Sequence, residues 1–87
     1  MTDIQNLTNN NYQVLAYLYD RADKGYCVRI TQSETAKDFN LTRNTMNQIF
    51  KNLREFGYLV TDPEFPTKHY LTDKGVKIVE IVKQIEE

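Results

Sequence analysis

The chain has one cysteine, Cys27, one histidine, His69, and no tryptophan. A lone thiol excludes an internal disulfide, and no pair of Cys or His motifs is spaced for zinc. The expected state of Cys27 is a reduced thiol in a strand, which favours an intracellular place. Glycine is scarce as well: three residues, isolated at positions that read as turns and caps. No glycine-rich loop is present to cradle a phosphate. His69 has no Cys or Asp at a spacing that supports catalysis, so it reads as a strand residue rather than a ligand or base. Without a site motif the chain is expected not to be an enzyme, with no metal and no cofactor. No apolar run reaches the roughly 20 residues of a membrane-spanning helix. The start, MTDIQNLTNNN, lacks the basic residues and apolar core of a signal peptide. The expectation is a cytoplasmic protein with no membrane partner.

A strong charge of one sign is also missing. The 87 residues carry 11 Lys and Arg against 12 Asp and Glu, a net charge of −1. That argues mildly against nucleic acid as a partner. Hydrophobic residues make up 40% and charged ones 26%, which is the balance of a globular chain rather than a disordered one. One domain over residues 1–87 is expected, with residues 1–8 loosely held.

What is present centres on residues 41–57, LTRNTMNQIFKNLREFG. Thr42 is a good N-cap. Met46, Ile49, Phe50 and Leu53 recur at i, i+3, i+4 and i+7, which is one helix face. Gly57 stands where a left-handed residue ends a helix. Arg43, Asn44, Asn47, Gln48 and Lys51 project elsewhere. Arg pairs with guanine, Asn and Gln pair with adenine, and Lys reaches phosphates. A short helix over residues 32–39 precedes it across the tight linker FNLT. This is the plan of a helix-turn-helix with residues 41–57 as the recognition helix. The outward side of residues 43–51 has no Asp or Glu, which a DNA surface requires and a protein-binding surface does not.

Elsewhere the first helix should start at Thr8 or Asn9 and run to about Ala22, with Val14, Leu15, Leu18 and Ala22 inward. Tyr12, Tyr17 and Tyr19 widen that stripe. They either cover their own domain or form a dimer surface. A strand is expected over residues 26–30. Thr31 and Glu34 fit a capping box, with Glu34 reaching back to the Thr31 backbone. Ala36 and Phe39 should point inward. Strands over residues 58–62 and 68–71, joined by a turn over 63–67, form a two-stranded wing. Thr72 caps a last helix over residues 73–85. Its apolar residues cover more than half the circumference, and Ile81 has no obvious partner within the chain. The fold class expected is mainly α with a small β wing, a winged helix-turn-helix.

The run LTRNTMNQIFKNLREFGYLV…HYLTDKGVKIVEIVKQ resembles the TubR-like centromere-binding proteins of type III (tubulin-type) plasmid and phage partition systems. These lie within the winged-helix regulators of MarR and ArsR type, and MarR-like proteins also carry L-T-x-K-G after the wing. The resemblance implies a homodimer on repeated centromere or operator sites in double-stranded DNA. It implies paired recognition helices in the major groove, repression of the chain's own operon, and a tubulin-like GTPase as a further partner. Thr42, Arg43, Asn44 and Thr45, with Lys68 and His69 in the wing, take the family's DNA-contacting positions. The wing DPEFPT departs from the Arg- and Lys-rich wing of that family. The candidate DNA-binding set is Ser33, Thr42, Arg43, Asn44, Thr45, Asn47, Gln48, Lys51, Lys68 and His69. The candidate dimer residues are Tyr12, Tyr17, Tyr19 and Ile81. Two alternatives stand beside the partition reading: a MarR- or ArsR-like transcriptional repressor, and a winged helix used only as a protein-interaction module.

Overall fold

A computed structural model describes residues 9–86. Thr8, one of the two expected helix starts, and the expectation that residues 1–8 are loosely held lie outside the described residues. The elements run α1 (Asn9–Arg21), β1 (Cys27–Arg29), α2 (Gln32–Phe39), α3 (Arg43–Glu55), β2 (Leu59–Thr61), β3 (Lys68–Leu71) and α4 (Asp73–Glu86). Among the described residues no helix is long and apolar enough to cross a membrane.

Helix α1 buries Val14, Leu15 and Leu18, which are spaced to share one face. Its chain then turns at Gly25 and Tyr26, both with positive φ, closed by the Tyr26 N–H donating to the Asp23 carbonyl. Tyr26 is therefore a turn residue, and the expected strand over 26–30 shortens to Cys27–Arg29.

Helices α2 and α3 are punctuated locally. The Thr31 hydroxyl accepts the Glu34 N–H at 3.0 Å. The Glu34 carboxylate accepts from that hydroxyl at 3.2 Å instead of from the Thr31 backbone, so the reciprocal half of the capping box is replaced. Helix α2 ends on Asn40 in the left-handed region, with Leu41 N–H donating to Ala36 and Asn40 N–H to Lys37. Asn tolerates this geometry better than other residues with a Cβ. Helix α3 ends the same way on Gly57, with Tyr58 N–H donating to Leu53 and Gly57 N–H to Arg54. Both ends satisfy carbonyls that would otherwise be orphaned. The stripe Met46, Ile49, Phe50 and Leu53 is buried, as its spacing predicts.

The wing has one more strand than expected. The sheet order is β1-β3-β2, all antiparallel, with Val28 opposite His69 and Thr61 opposite His69 on the other side. Strand β1 pairs with the free edge of β3, satisfying backbone groups that a two-stranded hairpin would leave to water. His69 and Leu71 point to the core, and Lys68 and Tyr70 are only half buried.

Thr72 caps α4, its hydroxyl accepting from Gly75 N–H at 3.0 Å and donating to the Gly57 carbonyl. Gly75 lies in the first turn of α4, where the helix crosses the backbone just before β2. An ideal Cβ on Gly75 would sit 2.3 Å from the Tyr58 carbonyl oxygen. Val76, Ile78 and Val79 are buried behind it, whereas Ile81 and Ile85 are 47% and 69% exposed.

Candidate nucleic-acid interface

The site is the side of α3 opposite its buried stripe. Arg43, Asn44, Thr45, Asn47, Gln48 and Lys51 are all exposed there. Arg43, Asn44, Asn47 and Lys51 make no hydrogen bond or ion pair with other described residues, so these side chains are at liberty to reach a ligand. Gln48 is different: its Nε2 donates to Asn52 Oδ1 at 2.9 Å. Asn52, one turn on, thus sets how Gln48 points, a role that sequence spacing of i, i+4 could have revealed. Thr42 and Thr45 are committed to the helix start. The Thr42 hydroxyl accepts the Thr45 N–H at 3.1 Å and donates to the Thr45 hydroxyl at 2.8 Å.

Ser33 is exposed in the first turn of α2. It lines a groove of about 400 Å³ with Thr31, Gln32, Arg43, Pro66 and Thr67. The start of α2, the start of α3 and the end of the wing turn therefore share one concave surface. Lys68 extends this side of the molecule. Its Nζ lies 5.5 Å from the centroid of the Tyr70 ring. A hydrogen bond to Tyr70 raises its pKa above the usual lysine value, keeping the ammonium charged.

His69 does not belong to this surface. It was expected on the wing's phosphate-facing side, but pairing with both β1 and β2 turns it inward, and it is 0% exposed. The ring packs edge-on against Phe50 of α3, with centroids 5.1 Å apart. Arg54 Nη1 donates to the Thr61 hydroxyl at 3.3 Å, and that hydroxyl lies 2.9 Å from His69 Nδ1. This bond between the Thr61 hydroxyl and Nδ1 ties the ring to β2. His69 Nε2 makes no hydrogen bond of normal geometry. His69 is thus a tie between wing and recognition helix.

Burial pushes its pKa below the ordinary 6.5; the Arg54 guanidinium pushes the same way, and the Ile30 backbone beside the ring opposes them. The unfolded chain therefore binds this proton more readily than the folded one. The stability linked to His69 is full above about pH 6.5 and falls as pH drops towards the depressed native value. Urea unfolding should show stability falling as pH drops through about 6.5, and His69→Gln should flatten that fall. An equal slope in both proteins would mean that the imidazole is solvated in the native state.

The expected dimer residues divide. Tyr17 donates to Asp38 Oδ2, meets Phe39 edge-on at 5.2 Å and carries the Arg21 guanidinium 4.4 Å above its ring. Burial, followed by the Asp38 bond, pushes its pKa up to about 12. Tyr19 donates to Glu80 Oε2 at 3.3 Å, stacks on Tyr26, and has Lys83 Nζ 5.1 Å from its centroid. These two rings join α1 to α2 and to α4. Tyr12 is half buried against the core. Ile81, with Ile85 beside it on the helix, stays uncovered.

No family model and no curated protein sequence matches this chain. Solved structures do match. MepR, a transcription regulator of the Staphylococcus aureus multidrug efflux pump MepA, superposes with a TM-score of 0.76 and 26% identity, over 95% of this chain and 59% of its own. The S. aureus MepR–DNA complex gives 0.73 and 28%, over 94% and 58%. Sco5413, a MarR family transcriptional regulator from Streptomyces coelicolor, gives 0.72 and 23%, over 90% and 52%. The fold is a MarR-like winged helix. In it α3 holds the recognition-helix position, and β2 and β3 with their turn are the wing. The chain spans less than two thirds of the length of these regulators.

Proposed function

We propose that residues 9–86 form a single winged-helix domain of a cytoplasmic regulator that binds double-stranded DNA without catalysing a reaction. The observation that carries this is the α3 face. Four unengaged polar or basic side chains, with no acid among residues 43–51, stand on a helix locked to the core by four buried residues. The likeness to MepR, whose structure with DNA is among the matches, supports the same reading. In it α3 enters the major groove, with Arg43, Asn44 and Asn47 at base edges and Gln48 pre-set by Asn52. Lys51 and Ser33 contact phosphates, while Thr42 and Thr45 hold the helix start in place.

Within this function two finer roles stand. Transcriptional repression is supported by the likeness to MarR-like transcription regulators. The role of centromere-binding adaptor and autorepressor rests on the sequence resemblance of residues 12–84, and it adds a tubulin-like GTPase as partner. A neighbouring gene for such a GTPase, and its co-sedimentation with protein-bound repeats of operon DNA, would select the second role.

The regulator acts as a homodimer through α4. Ile81 and Ile85 form its centre, Tyr12 and Tyr19 lie beside it on α1, and Tyr17 is left to α2. With a net charge of −1, tight binding requires two recognition helices on one DNA. The same patch serves both subunits of a two-fold dimer, so Ile81→Asp alters the interface twice, at about 1.5–3 kcal/mol for each side chain fully buried. Sedimentation at micromolar concentration should show a wild-type dimer and a monomeric Ile81→Asp. The variant should bind a two-half-site DNA from the chain's own operon at least tenfold more weakly. A monomeric wild type that binds such DNA tightly would remove the dimer from this account; a wild type that binds no DNA at low salt would remove the DNA reading.

A further inference from the structure

The register of the sheet places two cations directly opposite each other. Arg29 on β1 pairs with Lys68 on β3, and both project from the outer side of the sheet, since Val28 and His69 take the inner side. Like charges facing across a ladder destabilise a sheet. Arg29 acts on Lys68 in this way, drawing its proton affinity down against the larger opposing effect of Tyr70. Among the described residues neither cation forms an ion pair with a carboxylate. The two acids of the wing turn do not serve: Asp62 Oδ1 accepts the N–H groups of Glu64 at 2.9 Å and Phe65 at 3.3 Å, and Glu64 pairs with neither cation.

A concavity of about 190 Å³ opens between Arg29, Lys68, Thr67 and Phe65. Thr67 also lines the groove that holds Ser33 and Arg43. The two hollows therefore adjoin, and the cation pair lies at the end of a path that begins at α3. A chain with net charge −1 keeps two uncompensated positive groups at this one place. The ligand that suits them is an anion continuous with whatever α3 binds.

We propose that Arg29 and Lys68 together hold a backbone phosphate of the DNA that α3 reads, so that β1 is part of the interface. The inference rests on the DNA reading above and adds Arg29, which the motifs did not single out. Arg29 forks onto phosphate oxygens and Lys68 supplies a point charge. Thr67 lines both hollows and so joins this site to the main groove. The contact carries no base information, so it strengthens binding to every sequence alike.

The test is a salt titration of DNA binding by the full chain and by Arg29→Gln, Lys68→Gln and the double variant. Each should be measured on operon DNA and on a scrambled duplex. Losing one phosphate contact should reduce the slope of log K against log salt by about 0.9 per bound chain. Affinity for the two duplexes should fall by the same factor. The thermal midpoint of the double variant should stay level or rise, because a repulsive pair has been removed. Wild-type binding with an unchanged slope in the double variant would overturn the phosphate contact alone. So would a loss confined to operon DNA, which would assign these residues to base readout. Wild type that binds neither duplex would overturn the DNA reading and this contact with it.

Discussion

Gly75→Ala will destabilise the protein, although glycine to alanine inside a helix normally helps. The propensity gain is about 0.8–1.0 kcal/mol. Against it stands a Cβ built 2.3 Å from the Tyr58 carbonyl oxygen and 3.2 Å from its Cα. Both neighbours are backbone, and that carbonyl already accepts the Thr72 N–H at 3.1 Å. The Tyr58 side chain is fully buried, so the strand start cannot retreat without disturbing the core. Overpacking of this kind costs about 1–3 kcal/mol and occasionally more. For a domain of 60–100 residues each kcal/mol shifts the midpoint by about 4–8 °C. A circular-dichroism melt should therefore show a drop of several degrees. An unchanged or raised midpoint would mean that α4 can slide off Tyr58 at no cost.

Arg43→Ala and Asn47→Ala should do the opposite, weakening DNA binding with no change in the melt. Both side chains are exposed, and neither makes a hydrogen bond or ion pair with another described residue. Loss of a bidentate base contact costs about 1–3 kcal/mol, which is roughly 5- to 150-fold in affinity for each position. The loss should be confined to the preferred DNA, which sets these residues apart from a phosphate contact. Thr42→Ala gives the contrasting pattern, since its hydroxyl serves the Thr45 N–H: about 0.5–2 kcal/mol of stability is at stake there. Fluorescence anisotropy on operon and scrambled duplexes, with melts of each variant, distinguishes the patterns. Full affinity in both Arg43→Ala and Asn47→Ala would keep α3 out of the groove.

Features written in consecutive residues were readable from the sequence. The start, stripe and stop of α3 depend on Thr42, on Met46 to Leu53 and on Gly57, all within one segment, and each stands as its local chemistry dictates. Features set by pairing across the chain were not. KHYL lacks a clean alternation of polar and apolar residues, so its inner face is undecided until β1 and β2 flank it. Once they do, His69 turns inward and Arg29 comes opposite Lys68. Gly75 follows the same logic, because only the crossing of α4 over Tyr58 shows why a side chain is missing there. Asn40 is a middle case. Its left-handed conformation is local, but Asn is common in many backbone states, and no apolar period marks the stop.

The junction at Thr72 has a mechanical meaning. One hydroxyl spans the last carbonyl of the α3 stop and the first turn of α4, and the neighbouring amide grips Tyr58. The recognition helix and the helix proposed to face a second subunit are thereby welded at one corner. In such a dimer α4 acts as a gauge bar: its tilt against its twin dictates the distance between the two recognition helices. A molecule wedged beside Ile81 would then release DNA by spoiling that spacing, with every base-reading side chain still in position.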